Sequence, residues 1–274
     1  MSSKHETIVV SVDDDVGHIR LNRPNVLNAL STLLMKETTE ALSALSCDKS
    51  VRAIVLSAEG RAFSSGFDLK ESGTKKREGT ADWKPVIEAD FEFIMQFWEC
   101  PKPTVAAVQG FCLAGGMELA LACDMCVASE NALFGEPEVR FGSGIVAMLM
   151  PWLTSPKFAK ELLLTGNDRI PASRILQMGL INEVTPEGEQ LARAVALAKQ
   201  VATSSAFSVQ LTKQALNRSY DIRGMRSALQ GAVDTAIIIE SALGPERAEF
   251  NRIRAEHGLR AAIEWRDKRF RAQF

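Results

Sequence analysis

Residues 106–128 read AAVQGFCLAGGMELALACDMCVA. A strand of small residues runs into Gly115-Gly116, and an apolar helix with a single acid, Glu118, begins there. Few folds accept this sequence of events. A buried strand that passes into a helix exposes the first N–H groups of that helix without intrahelical partners, and glycine lets another backbone or a ligand come close to them. Such a helix start attracts negative charge. Glu118 therefore has two readings. It complements the helix dipole, or, set among Met117, Leu119, Ala120 and Leu121, it is a buried carboxylate that must be paired or used.

The surroundings of this stretch are α/β. Short strand patterns (TIVVSV, GHIRLN, VRAIVLSA, TVAAVQG) alternate with helical ones, the first over 31–45. Residues 70–85, KESGTKKREGTADWKP, read as a polar, glycine-punctuated surface loop. Ile87, Phe91, Ile94, Met95 and Trp98 then recur at helical spacing, until Pro101 and Pro103 end that helix. From residue 187 to 269 the pattern is helical almost throughout. One apolar face carries Leu191, Val195, Leu197, Ala198 and Val201, and another runs through 228–243, which together suggest packing against a second subunit.

Composition narrows the function classes. A chain of 274 residues, 46% apolar and 24% charged, sustains a large core. A net charge of −2 supplies no overall field for nucleic acid, although residues 244–274 hold eight Arg or Lys against five acids. The first ten residues lack the charged and apolar regions of a leader, and no apolar run approaches the ~18 residues of a membrane span. A cytoplasmic protein is expected. Five cysteines in mostly apolar settings fit free thiols, and Cys123-x-x-Cys126, with no second pair, predicts no metal.

Two further stretches share the character of the first. In AFSSGFDLK, residues 62–70, Gly66 stands between serines and Phe67, with Asp68 placed to cap a turn. In ALFGEPEVRFGSG, residues 132–144, Glu136 and Glu138 flank Pro137. Each alone is an ordinary loop.

Together the three stretches resemble the crotonase, or enoyl-CoA hydratase/isomerase, superfamily, over about residues 8–268. The resemblance implies an α/β fold, a ClpP-like spiral of ββα repeats over 1–200, with a C-terminal helical region over 201–274 that assembles a homotrimer or a dimer of trimers. It implies that the N–H groups of Phe67 and Gly115 point at the thioester oxygen of an acyl-CoA, and that Glu118 and Glu138 hold one water between them. Glu118 would act as base on that water and Glu138 would protonate the α-carbon of a 2-enoyl-CoA. Such an arrangement suits hydration, which needs a base and an acid on one face of the alkene. The same resemblance implies acyl-CoA contacts at Arg23, Leu27, Ala29, Ala62, Ser64, Ser65, Gly66, Asp68, Leu69, Gly110 and Ala114. Lys268, in EWRDKRF, matches a segment that reaches the CoA of a neighbouring subunit. No bound cofactor or metal is implied, coenzyme A being part of the substrate, and no nucleic-acid or membrane partner is expected.

Departures from the family pattern leave alternatives open. Ala114 stands where many relatives have a third glycine, and VRFGSGIVAMLMPWL replaces a proline and glycine-rich stretch after Glu138. Arg140 is close enough in sequence to pair with Glu138 and divert the reaction toward isomerisation, decarboxylation or hydrolysis. An acyl-CoA or RNA binder without turnover is a further reading, disfavoured by the two retained acids and the net negative charge. GSGIVA, residues 142–147, formally matches a dinucleotide fingerprint, but the charged EPEVRF before it is no buried strand. There is no G-x-S-x-G elbow, so a serine hydrolase has no visible nucleophile.

Overall fold

The computed structural model describes residues 5–74 and 76–271. The first half contains β1 (Ile8–Asp13), β2 (Val16–Leu21), α1 (Thr32–Cys47), β3 (Ala53–Ala58), β4 (Ala62–Ser64), α2 (Leu69–Ser72), α3 (Gly79–Glu99), β5 (Thr104–Val108), β6 (Phe111–Leu113) and α4 (Gly115–Ala122). Then follow β7 (Met125–Ser129), β8 (Leu133–Gly135), α5 (Met150–Leu153), α6 (Pro156–Thr165), β9 (Ile170–Pro171), α7 (Ala172–Gln177), β10 (Glu183–Thr185), α8 (Gln190–Ala202), α9 (Ala206–Ile222), α10 (Met225–Ala242) and α11 (Pro245–Arg271).

The strands form two sheets, ordered β1-β2-β3-β5-β7-β10 and β4-β6-β8-β9. Three successive pairs, β3 with β4, β5 with β6 and β7 with β8, each give their first strand to the larger sheet and their second to the smaller. Pairing within each run is parallel. Repetition of that step is the spiral. The stretch from Thr104 to Leu113 is therefore two strands, where the sequence suggested one that led into the helix. The chain changes sheets at Gly110, whose φ is +55° and where a Cβ would stand 1.9 Å from the Arg61 carbonyl oxygen. Only glycine fits so close to a neighbouring backbone.

Alternate residues of each strand point to opposite sides, and the two sides are covered differently. Ile54, Leu56, Ala106 and Val108 face the main core with α1, α3 and α4. Ala53, Val55, Val105, Ala107 and Val127 face outward and meet Ala194 and Ala198 of α8. The apolar face of α8 thus closes this chain's own sheet and needs no second subunit. The buried face of α10, Val233, Ala236 and Ile237, likewise lies on Ile87 and Phe91 of α3. Phe207, Leu211, Ile222 and Ile238 remain exposed on α9 and α10. Among the described residues, no helix is long and apolar enough to cross a membrane.

Segment 70–85 differs from its sequence reading. It holds α2, capped by Asp68, whose side chain accepts from the Lys70 and Glu71 N–H groups, and the start of α3, which contains Pro85. Pro85 and the residue one turn before it, Ala81, are both exposed, so the carbonyl left without a donor faces solvent. α1 begins where its pattern predicts, with the Ser31 side chain accepting from Leu34 N.

Candidate active site

The site starts with a turn that nothing in the apolar pattern reveals. Leu27 and Asn28 both have positive φ, +53° and +51°. Asn28 is fully buried, and its amide donates to the carbonyls of Glu59 and Ala62, both at 2.8 Å, while its oxygen accepts from Arg23 N at 2.7 Å. The Ser64 hydroxyl donates to the Asn28 carbonyl and accepts from Gly66 N. Arg23 holds Asp68 at 3.0 Å and the Ala29 carbonyl at 2.5 Å. Two remote loops, 21–30 and 62–68, are thereby locked together.

This lock aims a donor. Leu30 pairs with Phe67 as an isolated parallel bridge, in which Leu30 N donates to Gly66 O and Asp68 N donates to Leu30 O. Those two bonds occupy the groups flanking Phe67 on one side, so Phe67 N–H points to the other. On that other side lies the start of α4. A Cβ built on Gly66 would stand 2.5 Å from Ala114 Cβ and 3.3 Å from Gly115 N. Gly115 is the first residue of its helix and has no intrahelical acceptor. Neither Phe67 N nor Gly115 N donates to a protein acceptor among the described residues. These two unused N–H groups, 48 positions apart in sequence, belong to backbone segments that lie against each other.

The acids lie beyond them. Glu118, on the first turn of α4, is 1% exposed, and its Oε1 accepts from Val146 N and Ala147 N, both at 3.0 Å. Its Oε2 is buried without a partner. Glu138 sits in a short 3-10 turn, Pro137–Phe141, and its Oε2 is likewise buried and unpartnered. Burial is the main cause that pushes Glu118 up to about 8, with the Glu138 charge second. Burial also pushes Glu138 up to about 7, against its own N–H, the Glu136 carboxyl and the Arg266 charge. Both groups thus change charge near neutrality, as acid–base chemistry requires.

A cavity of about 150 Å³ opens in front of this arrangement, between the two loops, α3 and the C-terminal helices. Ser65, Phe67, Asp68, Leu69, Ala114 and Glu138 line it. Gly66, Gly115 and Glu118 do not border it, although each adjoins a residue that does: Gly66 precedes Phe67, Gly115 follows Ala114, and Glu118 accepts from Val146 N. Ala62, Ser64 and Gly110 are scaffold: Ala62 and Ser64 are buried in β4, and Gly110 makes the sheet change. Arg23, Leu27 and Ala29 build the loop lock. Lys268 is exposed on α11 and does not border the cavity. α11 breaks at Gly258, and the segment after the break, which carries Lys268, packs Ala262 and Trp265 into the cluster of Phe141 and Phe250.

Arg140 does not pair with Glu138. Its guanidinium binds Asp168 at 3.2 Å and lies over the Phe270 ring, on the far side of the turn. Several lining residues escaped the sequence reading: Asp90 on α3, and Glu240, Arg247 and Arg266 on the C-terminal helices. Glu240 accepts from the Ser143 hydroxyl, from Gly144 N at 3.2 Å and from Arg247 at 2.6 Å. The one available signal was its place at the end of the apolar run AIIIE.

Residues 12–237 match the family described as enoyl-CoA hydratase/isomerase. A relative from Rhizobium meliloti, described as a probable enoyl-CoA hydratase, is 38% identical over 226 residues, which cover 80% of this chain and 84% of that protein. The crystal structure of an enoyl-CoA hydratase/isomerase from Xanthobacter autotrophicus Py2 superposes with a TM-score of 0.95 at 44% identity, covering 97% of this chain and 99% of that one. A probable enoyl-CoA hydratase from Mycobacterium smegmatis superposes at 0.81 with 32% identity, over 86% and 95%. The spiral of paired strands and these matches make the chain an enzyme of the enoyl-CoA hydratase/isomerase family, with the crotonase fold.

Proposed function

We propose that the protein is a 2-enoyl-CoA hydratase, adding water to the conjugated alkene to give a 3-hydroxyacyl-CoA. The observation that carries this reading is the pairing of two unused N–H donors, on Phe67 and Gly115, with two buried carboxylate oxygens that lack partners, on Glu118 and Glu138.

The chemistry follows from the charge that develops. With the thioester oxygen between the two N–H groups, addition at the β-carbon drives negative charge onto that oxygen, where fixed dipoles stabilise it without reorganising. Glu118 Oε1 is held by two backbone donors, which leaves Oε2 to take a proton from the water as its oxygen bonds to the β-carbon. Glu138 gives its proton to the α-carbon. Both acids act from one face, so the addition is syn. One water is consumed, Glu118 ends protonated and Glu138 ionised, and passage of the proton from Glu118 to Glu138 through the next water restores the start. The CoA moiety lies along the loop of residues 21–30, Lys268 contacts a phosphate of the CoA held by a neighbouring subunit, and the exposed apolar residues of α9 and α10 support assembly as a trimer or a dimer of trimers.

Crotonyl-CoA tests the reading, through loss of its conjugated-alkene absorbance and detection of 3-hydroxybutyryl-CoA. Glu138→Gln should abolish turnover with acyl-CoA binding kept, because an amide accepts hydrogen bonds but delivers no acid proton. No product from crotonyl-CoA or longer enoyl thioesters would overturn hydration in favour of another reaction of the family or a binder without turnover.

A further inference from the structure

Glu136 is a third acid at this site, and the hydration mechanism does not use it. It is 0% exposed, and neither carboxyl oxygen has a hydrogen-bond partner among the described residues. Its position is close to the chemistry: it leads into the turn that carries Glu138, just after Gly135, whose carbonyl accepts from Ala114 N at 2.8 Å.

An ionised carboxylate with no donor and no cation is not sustained in a protein interior; the group keeps its proton instead. The charged and titratable groups around it favour the same state. Glu138 on its own turn and Glu118 on α4 are both acids, and both raise its proton affinity, after burial. Cys112 on β6 is a buried thiol that supplies no charge. Arg266 on α11 and Glu240 on α10 act on Glu138. A neutral carboxyl carries one O–H, which in turn needs an acceptor. Glu138, two residues further along the same turn, is the neighbouring group able to accept, and its Oε2 is likewise buried without a partner.

We propose that Glu136 is a positioning residue: a carboxyl that stays protonated throughout the cycle and donates its one hydrogen to Glu138, fixing the orientation of that carboxyl group toward the substrate. The hydrogen is not consumed. It holds one oxygen of Glu138 so that the other faces the α-carbon, and it favours the ionised form, which makes Glu138 the stronger acid. This role rests on the hydratase reading.

Two variants and the pH profile test it. Glu136→Gln keeps a donor of the same length, so kcat on crotonyl-CoA should stay within about threefold of wild type and the pH limb of Glu138 should not move. Glu136→Leu removes the donor, so kcat should fall about tenfold or more, as expected for a hydrogen bond to a charged group, with KM little changed. Its Glu138 limb should move to higher pH. Binding of butyryl-CoA, which lacks the reactive alkene, verifies that each variant keeps its site. Well above pH 8, where Glu118 and Glu138 have lost their protons, the infrared carbonyl band of a protonated carboxyl should persist in wild type and disappear in Glu136→Gln. A limb that moves to lower pH in Glu136→Leu would mean that Glu136 is ionised and would overturn the proposal. So would a leucine variant with the kcat and profile of wild type. Wild-type protein inactive on enoyl thioesters would instead overturn the hydratase reading, and the infrared band would still report the protonation of Glu136.

Discussion

The ring of Phe67 lies against Gly115, so closely that a Cβ on Gly115 would stand 2.5 Å from Phe67 Cε2. Both residues supply a proposed donor N–H, so the contact between side chain and glycine sets how far apart the two donors lie. Gly115→Ala should push the ring aside and move the donor loop with it. The expected loss is ~10²–10³ in kcat/KM, the usual effect of losing one oxyanion donor. Combining Gly115→Ala with Phe67→Leu should recover part of that loss, and a double-mutant cycle on crotonyl-CoA hydration measures the coupling.

Hydration as proposed needs one carboxylate and one carboxylic acid. With Glu118 pushed up to about 8 and Glu138 up to about 7, both by burial first, the pair shares one proton over a narrow range, and the reactive form is the one that holds it on Glu138. The rate should therefore follow a bell. It falls on the acid side as the second proton binds, and on the alkaline side as the last is lost, by about tenfold per pH unit on each limb. The profile of kcat/KM against pH checks this.

The same burial weakens the fold. Glu138 has an ordinary value of 4.5 and a folded value of about 7. Between these the unfolded chain releases a proton that the folded chain keeps, so stability is fully present below pH 4.5 and declines as pH rises through 7. Glu138→Gln removes that decline. The variant should exceed wild type in stability at pH 8 by on the order of 1–3 kcal/mol, and the gap should close near pH 4.5. Urea midpoints at the two pH values measure it.

Ala114 holds φ +56° and ψ −138°, a conformation that glycine adopts freely and alanine only at a cost. Strain of this kind costs ~1–3 kcal/mol, against ~0.5–1 kcal/mol for the added freedom of glycine in the unfolded chain. Ala114→Gly should therefore stabilise the protein by about 1 kcal/mol with activity retained, as read by urea denaturation beside a crotonyl-CoA assay.

Much of the site was legible in one dimension because its parts are local. Gly115-Gly116 before an apolar helix announces an open helix start, and Glu118 amid Met117, Leu119 and Leu121 announces a buried acid. The strand patterns announce an α/β fold. Asn28, by contrast, sits in an ordinary polar stretch, and its role depends on the carbonyls of Glu59 and Ala62, more than thirty residues away. Arg140 showed the opposite fault: near Glu138 in sequence, it turns to Asp168 in space. The split of 104–113 between two sheets was likewise hidden, since it turns on the Arg61 carbonyl lying against Gly110.

What the chain determined by itself was the set of local elements and the residue types able to do the chemistry, because backbone preferences and apolar periods act over a few residues. Tertiary structure decided which of those residues meet. Glu240, Arg247 and Arg266 border the cavity only because α10 and α11 fold back over it, and Glu136 joins the acids only because β8 ends beside α4. Contacts of that kind come from packing across the whole core, which no short stretch encodes.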